Sequence, residues 1–175
     1  MAIDSLFAPL SGRFWRMLGV RWQQRPFDSG SHVTGGRFNP PGVLALYLSR
    51  DYNTAIAEMH QDLIRPGTLV AYDVTADVIV DLTDPAICEK LKVTASDLAC
   101  AWRTIHAIER GVPPTWPLVD RLVAADCAGA LVPSFQRPDG VNLVLWRWHD
   151  AATAGDGAAL TLLDPTGELG AGAPA

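Results

Sequence analysis

Short apolar stretches dominate the hydrophobic pattern of this chain. Runs of four to eight apolar and β-branched residues predict strands at 13–18, 43–49, 68–74, 78–83, 129–133 and 141–147. Apolar residues at helical spacing predict helices at 52–64, 96–110 and 116–126. Asp51 or Ser49 can cap the first of these helices, and Asp84-Pro85 opens a further short helix. This mixed order, with strands near both ends, predicts an α+β fold.

The length of 175 residues, of which 49% are hydrophobic, is that of one globular domain. We expect this domain over residues 1–150, built from small mixed sheets with flanking helices. The Ala/Gly-rich segment 151–175 follows, with an edge strand predicted at 160–163 and a flexible end over the last ten residues.

Several classes of protein are disfavoured by what the sequence lacks. It has no apolar run long enough to span a membrane and no secretory signal pattern, so we expect a cytoplasmic protein. Its cysteines are odd in number and widely spaced, which argues against a disulfide framework and a zinc cluster: they are Cys88, Cys100 and Cys127. The four histidines form no ligand pair, so we expect no metal site.

The charge of the chain is unevenly distributed. Its net charge of −5 disfavours a nucleic-acid binder. Residues 1–50 nevertheless carry six arginines against two aspartates, a local balance of +4. Arginine presents a planar fork that suits phosphate or carboxylate, so the clustering predicts a local anion pocket. High-GC codon usage would explain the preference for arginine over lysine equally well, but it does not explain the clustering.

The loop Thr34-Gly-Gly-Arg-Phe-Asn-Pro-Pro-Gly42 holds the densest group of candidate functional residues. Its paired glycines allow positive φ or close approach of a ligand, and its two prolines restrict the backbone where the chain leaves the loop. At the tip, Arg37 is a candidate anion donor and Asn39 a candidate hydrogen-bonding residue. An ordinary wide turn with an exposed arginine would give the same pattern.

Four further positions carry candidate chemistry. Tyr47 lies on the strand face opposite Leu44, Leu46 and Leu48, where its ring would stack on a base or ribose, or simply pack in the strand. Glu58 borders the apolar stripe of the next helix, although most mid-helix glutamates are solvated. Two polar residues lie at later strand ends, without the spacing of a serine hydrolase: Ser134 and Asn142.

In this order, these residues resemble the RES-domain family, the toxin half of Xre–RES toxin–antitoxin pairs. The Arg, Glu and Ser of the family name match Arg37 in GGRFNPPG, Glu58 in NTAIAEM and Ser134 in LVPSF. The Trp15-Arg16 pair near the start, Tyr47 in ALYLS and the strand-opening Asn142 also fit. The matching segments cover about residues 13–148. Phe38 departs from the pattern, because tryptophan is commoner there in the family.

The resemblance implies a fold similar to the diphtheria-toxin-like ADP-ribosyltransferases and a reaction that consumes NAD+. It also implies an Xre-like helix-turn-helix antitoxin that blocks the active-site cleft. Arg16 and Arg37 would then hold the pyrophosphate, Tyr47 would orient the nicotinamide riboside, and Ser134 would position ribose or Glu58. Asn39 and Asn142 complete the expected binding residues. Metal is not expected.

The candidate residues fit this chemistry. Nicotinamide is already a cationic leaving group in NAD+, so cleavage of its ribosyl bond needs no general acid, and one carboxylate suffices to stabilise an oxocarbenium-like transition state. Three alternatives stay open. They are an NAD+ glycohydrolase or phosphorylase, a mono-ADP-ribosyltransferase that modifies a host protein of nucleotide metabolism, and a non-catalytic nucleotide- or antitoxin-binding module.

Overall fold

Seven strands and five α-helices form the part of the chain that the structure, a computed structural model, describes: residues 2–61 and 64–169. The strands are β1 (Phe7–Gly19), β2 (Leu46–Ser49), β3 (Gly67–Asp81), β4 (Gly129–Pro133), β5 (Val141–Leu145), β6 (Trp148–Asp150) and β7 (Ala158–Leu162). The helices are α1 (Ser31–Thr34), α2 (Tyr52–His60), α3 (Pro85–Leu91), α4 (Ala95–Leu98) and α5 (Thr115–Ala124). This single mixed domain, a sheet with flanking helices, confirms the predicted α+β class.

The strands form one seven-stranded sheet, and not the several small sheets that the sequence predicts, in the order β1-β2-β5-β4-β3-β7-β6, in which β1 also pairs with β3. The pairings β1–β2, β2–β5, β5–β4, β4–β3 and β3–β1 therefore close a circuit. The contact between β1 and β2 is the narrowest link of this circuit, a single Trp15–Ser49 register pair. Both residues of this pair, and the neighbouring Arg16, line the cavity that holds the candidate functional residues.

The longest strand, β3, joins two segments that the sequence predicts as separate strands, 68–74 and 78–83. It stays continuous because β1 pairs with it from Gly19–Gly67 to Phe7–Val80, with one irregularity between Ala8 and Leu10. The predicted strand at 13–18 is accordingly only part of β1. The backbone partners come from a distant segment, so local sequence does not reveal this continuity.

The helix predicted over 96–110 is wrong in its extent. Residues 96–98 of this prediction belong to α4, and after a break at residues 99–101 a separate helical turn follows, π-helical over Thr104–Ile108. The chain turns at Cys100, whose carbonyl accepts from Trp102 N and from the Arg37 side chain instead of continuing a helical ladder. This break brings residues 101–104 to the mouth of the cavity described below.

The structure corrects the extent of the first predicted helix and the place of the last predicted strand in the sheet. Asp51, and not Ser49, caps α2, because its carboxylate accepts from Thr54 N at 2.9 Å. The helix predicted over 52–64 ends at His60. Residues 62 and 63 of that prediction lie outside the described residues, as do residues 170–175 of the predicted flexible end. The strand predicted at 160–163 is β7, which is not an edge strand, because it lies between β3 and β6.

Apolar side chains pack on both faces of the sheet. One cluster includes Phe14, Leu46, Leu48 and Tyr72, and the other includes Phe38, Ala45, Val80, Leu122, Val144 and Trp146. Leu44 was predicted to share the buried leucine face, but β2 begins only at Leu46 and Leu44 is 48% exposed. Within residues 2–61 and 64–169, no helix is long and apolar enough to cross a membrane.

Candidate active site

The carboxylate of Glu58 is held by two side chains from other elements. Its Oε1 accepts from Ser134 Oγ at 2.7 Å and from Asn142 Nδ2 at 2.6 Å. Ser134 follows β4, Asn142 lies in β5, and Glu58 lies in α2, so three separate elements converge here. Glu58 Oε2 accepts no hydrogen bond from the described residues, and Glu58 lines a cavity. One carboxylate oxygen is thus fixed while the other is available to a ligand.

Each of the two groups that donate to Glu58 is itself oriented by a neighbour. The Ser49 hydroxyl donates to Asn142 Oδ1 at 2.7 Å, which directs the Nδ2 end of this amide to Glu58. The Ser134 hydroxyl oxygen accepts from the backbone N–H of Arg137 at 3.1 Å, so its own proton points to Glu58. A carboxylate that is held in this way is preorganised, because no side chain must turn before it acts.

A side-chain clamp joins the Ser134 loop to the helix of Glu58. Arg137 Nη1 contacts Asp51 Oδ1 at 2.5 Å and Thr54 Oγ1 at 3.2 Å, both at the start of α2. Gly140 in the same loop packs so closely on α2 that a Cβ there would lie 2.8 Å from Thr54 Oγ1. A side chain at this position would therefore push the loop away from the helix, so glycine permits the close packing of the two.

The glycine loop is built around Asn39 and Tyr47. Asn39 is fully buried, and its Nδ2 donates to the carbonyls of Ser31 and Val43 at 3.1 and 2.9 Å. The Tyr47 hydroxyl donates to Asn39 Oδ1 at 2.7 Å and accepts from Phe38 N at 3.1 Å. A Cβ on Gly36 would lie only 2.6 Å from the oxygens of both side chains, so only glycine fits there.

The carbonyl groups at the tip of this loop are all occupied. The indole N–H of Trp116 donates to the carbonyl of Gly36, and that of Trp146 donates to the carbonyl of Phe38, both at 2.9 Å. The hydroxyl of Thr115 donates to the carbonyl of Arg37. The loop that the sequence suggests as a ligand cradle is therefore rigid, and it presents the Arg37 side chain.

Arg37 is held by a carbonyl and an aromatic ring. Its Nε donates to the carbonyl of Cys100 at 3.2 Å, and its guanidinium carbon lies 4.1 Å from the centre of the Phe135 ring. Burial lowers the pKa of Arg37 from its ordinary value, while the negative charge of Glu58 is among the influences that raise it. Nη1 and Nη2 have no hydrogen-bond partner among the described residues, so they can receive an anion.

These groups surround an open cavity of about 640 Å³, a volume typical of small-molecule sites. Tyr47, Glu58 and Asn142 line it together with four arginines: Arg16, Arg37, Arg65 and Arg103. Glu58 is the one carboxylate among the described residues of this lining. The cavity therefore suits an anionic ligand with one electropositive centre at the carboxylate.

Arg16 and Asn39, both predicted to bind the ligand, use their side chains to hydrogen-bond backbone carbonyls of the protein. Arg16 lines the cavity, but its Nη1 donates to the carbonyls of Pro26 and Asp28 at 3.1 and 2.9 Å and supports the loop that precedes α1. Burial lowers the pKa of Arg16 from its ordinary value. Asn39 is predicted at the loop tip as a hydrogen-bonding residue for the ligand, but in the structure its amide is buried and hydrogen-bonds the loop itself.

Sequence reasoning missed several neighbours of the site. Phe135 packs against Arg37 and directly follows Ser134 in the sequence. Ser49 donates to Asn142 and is the last residue of the ALYLS motif. These neighbouring positions were the available indications. Arg65 and Arg103 carry no local pattern. Both line the cavity: Arg65 lies just before β3, and Arg103 lies just before the π-helical turn.

A sequence model of the RES domain matches residues 13–163, most of the chain. The chain belongs to the RES domain family. The match runs from the middle of β1 to the end of β7 in this RES domain, and it includes the positions of Arg37, Glu58 and Ser134. Phe38, the departure noted above, is buried in the core here, and its backbone carbonyl is the acceptor of Trp146.

The RES domain is also similar to a solved structure, a chain in the crystal structure of the M. tuberculosis MbcT–MbcA toxin–antitoxin complex. The two are 19% identical, with a TM-score of 0.59, and the match covers 82% of this chain and 79% of that chain. At this identity the similarity concerns the fold. The comparison with curated protein sequences finds no match.

Proposed function

We propose that this RES domain is the toxin of a toxin–antitoxin pair, and that it binds NAD+ and cleaves the bond between nicotinamide and ribose. ADP-ribose then passes to water or phosphate, and the cell loses NAD+. The single observation that carries the proposal is the fixed carboxylate of Glu58, whose Oε2 is free in a cavity lined by four arginines.

The bond that breaks joins C1′ of the nicotinamide ribose to the ring nitrogen. Its electron pair goes to that nitrogen, so the cationic ring leaves as neutral nicotinamide, and positive charge develops on the ribose. Glu58 stabilises this charge through Oε2 while Ser134 and Asn142 hold Oε1. Water or phosphate then attacks C1′, and with water as the acceptor one proton is released.

The other residues of the cavity bind and orient the substrate. The free Nη atoms of Arg37 receive the pyrophosphate, and Phe135 and the Cys100 carbonyl hold the guanidinium in place. The Tyr47 ring lines the cavity beside the ribose, although its hydroxyl is committed to the glycine loop. Arg65 and Arg103 at the mouth make the approach electropositive and favour anionic ligands.

The proposed partner is an Xre-like antitoxin that places a carboxylate in the same cavity. The structural similarity to a chain of a toxin–antitoxin complex supports an antitoxin partner. The arginines support a carboxylate in particular, because a guanidinium binds phosphate and carboxylate with the same fork.

The test is to incubate the chain with NAD+ that is labelled in its ADP-ribose part. Phosphate and a cell lysate are each added and omitted, and Glu58→Gln serves as the control. We expect nicotinamide release, with the label in free ADP-ribose or in its phosphorylated form. Label in a lysate protein would instead identify an ADP-ribosyltransferase. Binding of NAD+ without release by the unaltered chain would indicate a non-catalytic module.

A further inference from the structure

A second cavity, of about 600 Å³, lies beside the catalytic one and has no part in the mechanism above. It is bounded by α3, by α4 and by the end of β4. The two cavities share Pro133 and Phe135 as lining residues. Ser134, which donates to Glu58, lies between these two residues and also lines the second cavity. The second cavity therefore adjoins the catalytic site, with the segment 133–135 as their common wall.

The chemistry of the second cavity differs from that of the catalytic one. Most of its lining is apolar: Leu82, Pro85, Val93, Leu98, Pro133 and Phe135. None of the described residues that line it is basic, so it does not suit a phosphate. Its one charged residue is Glu89, a carboxylate that can accept a hydrogen bond from an amino group. A neutral, planar, apolar group with an amino substituent fits such a lining best.

Phe135 is the ring that such a group would contact. It is 53% exposed although it lies at the functional site, and Arg37 packs on it at 4.1 Å. An exposed aromatic ring beside an apolar cavity offers a stacking surface for a base. Its position on the wall between the cavities places this surface next to the guanidinium that receives the pyrophosphate.

We propose that the second cavity binds the adenine of NAD+, an inference that rests on the proposed function. A dinucleotide carries one nucleoside on each side of its pyrophosphate. With the pyrophosphate at Arg37, the ribose that reacts lies toward Glu58 and Asn142, and the adenosine lies across Phe135 in the second cavity. Glu89 accepts from the exocyclic amino group of the base.

The experiment fills the second cavity and compares ligands with and without adenosine. Ala99 lines this cavity, and Ala99→Trp places a large ring there. Ala95→Phe does the same from the start of α4 and serves as the second variant if the first fails to fold. Ala124→Trp is the matched control, on an exposed position of α5 that lines neither cavity.

The probes are NAD+, ADP-ribose and nicotinamide mononucleotide, and calorimetry measures their affinities for each variant in the Glu58→Gln background. We expect Ala99→Trp to weaken NAD+ and ADP-ribose by about tenfold or more, the size of one lost base stack, and to change the mononucleotide by less than about twofold. Ala124→Trp should change none of the three.

Unchanged affinity for NAD+ and ADP-ribose in the filled variants would overturn the inference. So would an equal loss for nicotinamide mononucleotide, because the cavity would then serve the nicotinamide end. Either result leaves the proposed function intact if the unaltered chain still releases nicotinamide. A chain that neither cleaves nor binds NAD+ would instead overturn the proposed function, and this inference with it.

Discussion

The hydroxyl of Ser49 donates to Oδ1 of Asn142 at 2.7 Å, and this contact determines which end of the amide faces Glu58. Both residues are buried, so water cannot easily replace the lost partner. We expect Ser49→Ala to lower kcat for NAD+ by about tenfold, since a small misplacement of a catalytic group is costly, with KM changed by less than about twofold.

Ser49→Thr, which keeps the hydroxyl, should retain most of the activity lost in Ser49→Ala. Thermal unfolding of both variants serves as the control for a loss of fold. If kcat falls in both variants in proportion to their loss of melting temperature, the effect is one of stability, and Ser49 has no positioning role.

Glu58→Gln should abolish turnover and leave the fold intact. The glutamine carbonyl oxygen can still accept from Ser134 and Asn142, so the hydrogen bonds are kept while the negative charge is lost. We expect the rate of nicotinamide release to fall by about 10²-fold to 10³-fold or more. Circular dichroism and the melting temperature check the fold. Near-normal turnover would remove Glu58 from the reaction.

Arg37→Lys should weaken NAD+ binding nearly as much as Arg37→Ala. A lysine ammonium reproduces neither the two-pronged donor nor the packing on Phe135, because both depend on the planar guanidinium. Titration of NAD+ into each variant, in the Glu58→Gln background, measures the effect. If Arg37→Ala leaves the affinity unchanged, the pyrophosphate lies elsewhere.

Tyr47→Phe should destabilise the protein by about 1–3 kcal/mol, because it leaves Asn39 Oδ1 and the N–H of Phe38 without their partner. Urea unfolding measures the free energy of unfolding. Tyr52→Phe, at an exposed tyrosine, is the matched control and should change the stability little. Equal effects at the two positions would contradict the structural role assigned to the Tyr47 hydroxyl.

NAD+ and the proposed antitoxin should exclude each other from the catalytic cavity. By linkage, saturating NAD+ should weaken antitoxin binding by the same factor by which the antitoxin weakens NAD+ binding. Binding measurements with the Glu58→Gln protein avoid turnover. A ternary complex in which both affinities are undiminished would place the inhibitory contact outside the cavity.

Local sequence was enough to predict the elements that begin or end at a recognisable capping or turn residue. Asp84-Pro85 starts α3, and its capping contact is local, because the N–H of Ala86 donates to Asp84 Oδ1. The glycine motif around Arg37, the strand that holds Tyr47 and the helix that holds Glu58 were predicted for the same reason, because short-range spacing determines them. The family could also be predicted, since its motif residues keep their order along the chain.

Only the tertiary structure decided how these residues cooperate. Glu58 and Asn142 are 84 positions apart, so no local pattern shows that one carboxylate oxygen is bound and the other free. The buried position of Asn39, the continuity of β3 and the break at Cys100 likewise depend on partners that the fold brings from distant segments. Sequence alone therefore determined which chemical groups the chain carries. The hydrogen bonds that each group makes, and hence which of them remain free for a ligand, depend on contacts that exist only in the folded chain.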